Sequence, residues 1–112
     1  MFRIIKNYFN KKNLKNKDFL FLFDENTDNE YVCFDCETTG LDPKKDDIIS
    51  IGAVIIKNNT IVASKKFVKF VKPKTKLQAD AIKIHHIREC DLKDAEDINT
   101  VIDEFLNFIG NR

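Results

Sequence analysis

The sequence predicts an α/β domain: three consecutive strands followed by one long helix. Three observations predict it. An apolar run beginning at Tyr31 leads into Asp35 and Glu37 and is stopped by Gly40, Asp42 and Pro43. Two runs rich in Ile and Val, Ile48 to Lys57 and Thr60 to Val71, flank the dipeptide Asn58-Asn59. Near the C-terminal end, Ile98, Val101, Ile102, Phe105, Phe108 and Ile109 recur at helical spacing.

In chain order, Phe2, Ile5, Tyr8 and Phe9 stand at helical spacing among Arg3, Lys6, Lys11 and Lys12, so residues 2–17 read as a short basic amphipathic helix. It is either a docking arm or a helix that packs its aromatic stripe on the domain. Phe19 to Phe23 is too short to classify by period. Asp24 to Glu30 is polar and acidic and reads as a linker. The expected division is residues 1–29, basic helix and acidic linker, and residues 30–112, the domain proper. Tyr31 to Glu37 is the first strand. Ile48 to Lys57 is the second, with enough Ile and Val to be buried on much of both faces. Asn tolerates positive φ, so Asn58-Asn59 makes a tight hairpin turn into a third strand that Lys72-Pro73 ends. Residues 74–94 read as irregular, with short helical turns around Ile82-Lys83-Ile84 and Asp91. Asp97 is an N-cap for the final helix and Gly110 its stop.

A chain of 112 residues is one small domain or a piece of one, and at this size about 65% of the extended-chain surface is buried on folding. A hydrophobic content of 43% with ten Phe excludes wholesale disorder. The net charge is +1, but it is unevenly spread: residues 1–17 carry six bases and no acid, and residues 57–83 carry eight lysines against Asp80. That segregation fits a basic face for a polyanion, or a solvated lysine surface. Three cysteines without framework spacing fit a reducing, cytoplasmic setting. No apolar run approaches the ~20 residues of a membrane span, and the N-terminus lacks the apolar core of a secretory signal.

The chemistry is concentrated at Asp35 and Glu37. In a strand, side chains at i and i+2 share one face, roughly 6–7 Å apart. Two carboxylates held so repel each other unless a cation lies between them, and Mg²⁺ or Mn²⁺, which prefer oxygen ligands, suit that place. The plainer reading is a solvated strand end. Cys33 and Cys36 are formally C-x-x-C, but at i and i+3 on a strand they face opposite sides, so they read as small apolar residues rather than a redox or zinc pair.

Asp35-Cys36-Glu37-Thr38-Thr39-Gly40 resembles the first exonuclease motif of the DEDD superfamily of 3′→5′ exonucleases, and is most similar to the branch containing the proofreading epsilon subunit of bacterial DNA polymerase III. Ile48 to Val54 resembles the second strand of that family, Ile84-His85-His86-Ile87 its I-H-G-I segment, and Val101 to Ile109 its first long helix. The resemblance covers roughly residues 31–110. It implies an RNase H-like fold, of which this chain is the N-terminal part: three antiparallel strands and one long helix, with the extra N-terminal helix. It implies phosphodiester hydrolysis from a 3′ end with two divalent ions, Mg²⁺ or Mn²⁺, and Asp35 and Glu37 as catalytic metal ligands. By the same resemblance Thr38, Gly40, Leu41 and His85 contact the terminal nucleotide, and His86 stands where the family has glycine. The implied partners are nucleic acid, with a single-stranded DNA 3′ end ahead of RNA, and the catalytic subunit of DNA polymerase III. The family's two further aspartates and its general-base histidine have no match here, so the chain reads as a truncated exonuclease domain. The alternative is a non-catalytic remnant that binds nucleic acid or a polymerase.

Overall fold

The computed structural model describes residues 10, 12–25 and 28–112. Most of the expected N-terminal helix lies outside the described residues; of its span, Asn10, Lys12 and Asn13 are helical. Three antiparallel strands form one sheet in the order β1-β2-β3: β1 Glu30–Thr38, β2 Ile48–Lys57 and β3 Thr60–Phe70. Asn58 and Asn59 both take positive φ, 51° and 62°, as a tight hairpin turn between twisted strands requires. Val71 leaves the strand to make a single parallel bridge to Glu96. Three helices come next, α1 Ala79–His85, α2 Glu89–Leu92 and α3 Ile98–Ile109. Asp97 caps α3 by accepting from Asn99 N, and Gly110 ends it.

Alternation along β2 sets the core. Ile49, Ile51, Ala53 and Ile55 are buried, whereas Ser50, Gly52, Val54 and Ile56 on the other face are only partly so; Ile48, beyond the register shift, packs against the helix-side cluster. The expectation that β2 is buried on much of both faces is therefore met on one face. The register places Val32, Phe34 and Cys36 beside Ile55, Ala53 and Ile51. Helix α3 lies on this same face, its Val101 and Phe105 in one cluster with Ile51, Ala53, Phe67 and Val71. Phe105 meets Phe34 at 5.2 Å and Phe67 at 5.4 Å between ring centroids. Such aromatic pairs add to the transfer of apolar area out of water. A second cluster of Ile49, Leu77 and Leu92, with Ile82 and Ile87 against it, fastens α1 and α2 at the β2 end that adjoins Thr38. Phe19 to Phe23, unclassified by period, lies in a 3-10 helix, Lys17–Phe23, that Asn16 caps at Asp18 N; its Phe19 is buried. Arg112 holds Glu30 at 2.8 Å, joining the start of β1 to the end of the α3 segment.

His86 stands where the family resemblance expects glycine, and the turn forms nonetheless. It sits at φ 59°, ψ 17°, in the left-handed region, with its N–H donating to Ile82 O at 2.7 Å. A side chain is disfavoured there. His86→Gly is expected to raise stability by about 0.5–1 kcal/mol, read as a higher midpoint in a thermal or urea melt.

Candidate active site

Asp35 lies opposite Gly52, which in turn lies opposite Val68; Glu37 lies opposite Ser50, which lies opposite Phe70. Both carboxylates therefore stand on the sheet face turned away from α3. Asp35 is exposed and Glu37 half-buried. Neither enters a salt bridge among the described residues. Asp35 Oδ1 accepts from the Cys36 N–H at 2.9 Å. A Cβ built on Gly52 would meet nothing within 4 Å, so bare backbone lies beside Asp35. Cys33 is exposed, and Cys36 packs toward the helix-side core. Burial, and then the charges of Asp35 and Glu37, push the Cys36 thiol above its ordinary range, which keeps it protonated.

The donor set of this pair is two hard oxygen groups, which suits Mg²⁺ or Mn²⁺. It is a partial set: among the described residues no group of three or more His, Cys, Asp or Glu is placed to hold a metal.

Past Glu37 the register shifts and the strand turns out of the sheet. Thr38 Oγ1 donates to Gly40 O at 2.6 Å. His85 reaches back from α1: its Nδ1 accepts from Ile87 N at 2.9 Å, so Nε2 carries the hydrogen and donates to Thr38 O at 3.2 Å. Both ring nitrogens thus serve the chain's own backbone. Thr39 is fully buried; its N–H donates to Asp47 O and its carbonyl accepts from Gln78 N. Gly40 is buried because space is lacking: an added Cβ would lie 2.5 Å from Asp46 Oδ2. Leu41 is 91% exposed. Thr38, Gly40 and Leu41 line a shallow hollow with Asp42, Pro43 and Asp46. The structure thus gathers Thr38, Gly40 and His85 at the strand exit, with Leu41 projecting into solvent at its rim.

Sequence reasoning missed the residues beneath this exit. Asp46 accepts from Thr39 Oγ1 and Asp42 N; Asp47 accepts from Lys74 N, Thr75 N and Thr75 Oγ1 at 2.8–2.9 Å. The available signal was weak: two adjacent aspartates just before a strand. The hydrogen bonds from Thr75, then the one from Lys74 N, hold the Asp47 carboxyl below its ordinary value of 3.8 despite some burial. A carboxylate so lowered stabilises the fold above that value, and the contribution is lost as pH falls through the folded-state value. Asp47→Ala is expected to cost about 1–3 kcal/mol near pH 7 through lost hydrogen bonds. In urea melts the gap from wild type should close as the pH is taken well below 3.8.

The basic surface is narrower than the sequence implied. Lys65, Lys66, Lys72, Lys74 and Lys76 are exposed, but Lys69 pairs with Glu96 at 3.2 Å and Glu104 at 3.3 Å, which raises its pKa. Glu104 is turned toward β3 by this pair. Among the described residues, no helix is long and apolar enough to cross a membrane.

Comparison with known proteins agrees with this arrangement. A family model described as exonuclease (RNase_T) matches residues 32–112. The chain is 40% identical over 88 residues to the DNA polymerase III PolC-type of Clostridium perfringens, and 46% identical over 79 residues to that of Caldanaerobacter subterraneus. These matches take in 79% and 70% of the chain but 6% of each polymerase, so the chain spans a small part of the relatives' length. Among solved structures, cell-death related nuclease 4 aligns with a TM-score of 0.63 at 21% identity, over 71% of this chain and 29% of that one. Exonuclease X in complex with 5′ overhanging duplex DNA aligns at 0.59 and 28%, over 66% of this chain and 42% of that one. The nuclease domain of 3′hExo, a DEDDh family member bound to rAMP, aligns at 0.61 and 19%, over 76% of this chain and 46% of that one. The antiparallel strands, the helices behind them and the match over residues 32–112 agree: the chain belongs to the exonuclease family.

Proposed function

We propose that this chain carries the first metal-ligating carboxylate pair of a 3′→5′ exonuclease of the proofreading type, with a single-stranded DNA 3′ end as substrate. The observation that carries the reading is the placement of Asp35 and Glu37. They share the open sheet face without a cationic partner among the described residues, and bare backbone at Gly52 lies beside Asp35. Mg²⁺ or Mn²⁺ held there supplies charge neutralisation at the scissile phosphate and a more acidic attacking water. Asp35 and Glu37 would hold the ions by their oxygens; Thr38, Gly40 and Leu41 line the hollow for the terminal nucleotide, and His85 braces it from behind through Thr38 O. Similarity to PolC-type polymerases supports work alongside a replicative polymerase in the cytoplasm.

The test grafts this chain's matched segment into the Clostridium perfringens relative and tracks 3′-end-labelled and 5′-end-labelled single strands with Mg²⁺ or Mn²⁺. Immediate release of the 3′ label, lost to background with Glu37→Gln, is the expected result. Equal degradation by the Glu37→Gln graft would overturn the assignment. A second reading is a binding module without catalysis. It predicts that the chain alone retains DNA with an affinity that falls steeply with salt.

A further inference from the structure

We propose that Thr39 is a positioning residue for the carboxylate pair, its buried hydroxyl fixing the path by which β1 leaves the sheet. The proposal rests on the metal-site reading of Asp35 and Glu37. Thr39 is 0% exposed and is the buried polar side chain of the described structure. Its Oγ1 accepts from Asp47 N at 2.9 Å and lies 3.1 Å from Asp46 Oδ1 and 3.0 Å from Thr75 Oγ1. Thr75 Oγ1 in turn donates to Asp47 Oδ2 at 2.9 Å. One hydroxyl thus ties the residue between Thr38 and Gly40 to both the 42–47 loop and the 72–78 loop.

This knot sits where positional freedom matters most. The register shift falls between Glu37 and Thr38, so Glu37 is the last residue held by regular strand pairing before it. Beyond Glu37 the backbone keeps the pairing of Thr38 with Ile48 and two backbone hydrogen bonds at Thr39, to Asp47 O and from Gln78 N. Side chains add to these: the Thr39 hydroxyl accepts from Asp47 N, and His85 bonds Thr38 O. Without the Thr39 hydroxyl, the Asp47 N–H loses its acceptor and Asp46 Oδ1 is left with Gln78 Nε2 at 3.3 Å, both in a partly buried setting. A buried polar group without a partner is costly, and backbone movement relieves it. Movement at Thr39 shifts Glu37 against Asp35. Partners behind a ligand commonly change metal affinity in this way.

The test compares wild type, Thr39→Val, Thr39→Ser and Glu37→Gln by amide NMR of the full chain, first without metal and then with Mn²⁺ added. Val keeps the size of Thr and deletes the hydroxyl; Ser keeps the hydroxyl. Without metal, Thr39→Val is expected to move the Glu37 and Thr38 amide resonances and Thr39→Ser to leave them near wild type. With Mn²⁺, Thr39→Val is expected to need about tenfold more ion to broaden the Asp35–Thr38 amides, and Thr39→Ser is expected to restore the wild-type titration. Wild-type amide positions in a folded Thr39→Val would overturn the proposal. So would a Ser variant as impaired as Val. If Thr39→Val does not fold, Thr75→Val removes one arm of the knot and is read by the same criteria. Broadening in Glu37→Gln equal to wild type would overturn the metal-site reading instead, while the metal-free shifts still decide the role of Thr39.

Discussion

Phe105→Ala is expected to lower stability by about 3–5 kcal/mol, the range for truncating a buried aromatic ring. Phe105 is 6% exposed, and its ring is wedged between Phe34 on β1 and Phe67 on β3. It is the side chain by which α3 grips both outer strands of the sheet. Removing it leaves a gap between the half-exposed ring of Phe34 and the buried ring of Phe67. Small domains have about 5–15 kcal/mol in total, so the variant should have a strongly reduced urea midpoint or no cooperative transition. Phe108→Ala is the control: Phe108 touches Phe67 at 5.6 Å but is only partly buried, and its truncation should cost less. Equal losses would show that α3 is held by its whole stripe rather than by the Phe105 wedge.

Gly40→Ala is expected to cost about 2–4 kcal/mol, combining overpacking with displaced hydrogen bonds. The added Cβ would lie 2.5 Å from Asp46 Oδ2, 2.8 Å from Asp46 Cγ and 2.7 Å from Gln78 Nε2. The Gln78 side chain can swing aside. Asp46 cannot do so freely, because Oδ2 accepts from Asp42 N at 2.8 Å and Oδ1 from Thr39 Oγ1 at 3.1 Å. Gly52→Ala provides the contrast, since its Cβ meets nothing within 4 Å. That substitution should stay within about 0.5 kcal/mol of wild type. Chemical denaturation of the two variants side by side checks both values. If Gly40→Ala is as stable as Gly52→Ala, Asp46 is more mobile than its hydrogen bonds imply.

The strands, the asparagine turn and α3 were legible because each rests on a local signal: period two, two adjacent residues tolerant of positive φ, or period 3.6 between a cap and a stop. The carboxylate pair was legible for the same reason, since i and i+2 on a strand share a face whatever surrounds them. Thr39 was not. Its partners Asp46, Asp47 and Thr75 lie 7, 8 and 36 residues away, and no periodicity records a bond between two loops. The 3-10 helix at Lys17–Phe23 escaped because a short apolar run has no period to read. His85 was legible as a residue of interest only through family resemblance. That both of its nitrogens are spent on backbone groups depends on the turn at His86, which a residue other than glycine makes locally unfavourable.

The span of the hydrogen bonds under the strand exit bears on how the molecule assembles. The turn between β2 and β3 closes over two residues, whereas Asp47 reaches Thr75 across 28 and His85 reaches Thr38 across 47. Closing longer loops costs more entropy, so the hairpin forms early and the exit is tied down after it. Thr75→Val and Asp47→Asn should therefore speed unfolding and leave the refolding rate nearly unchanged, with φ-values near zero. The two carboxylates, which lie on β1, would then dock onto an early-formed β2–β3 ribbon, while the frame that holds them in register arrives last and is the first part to open.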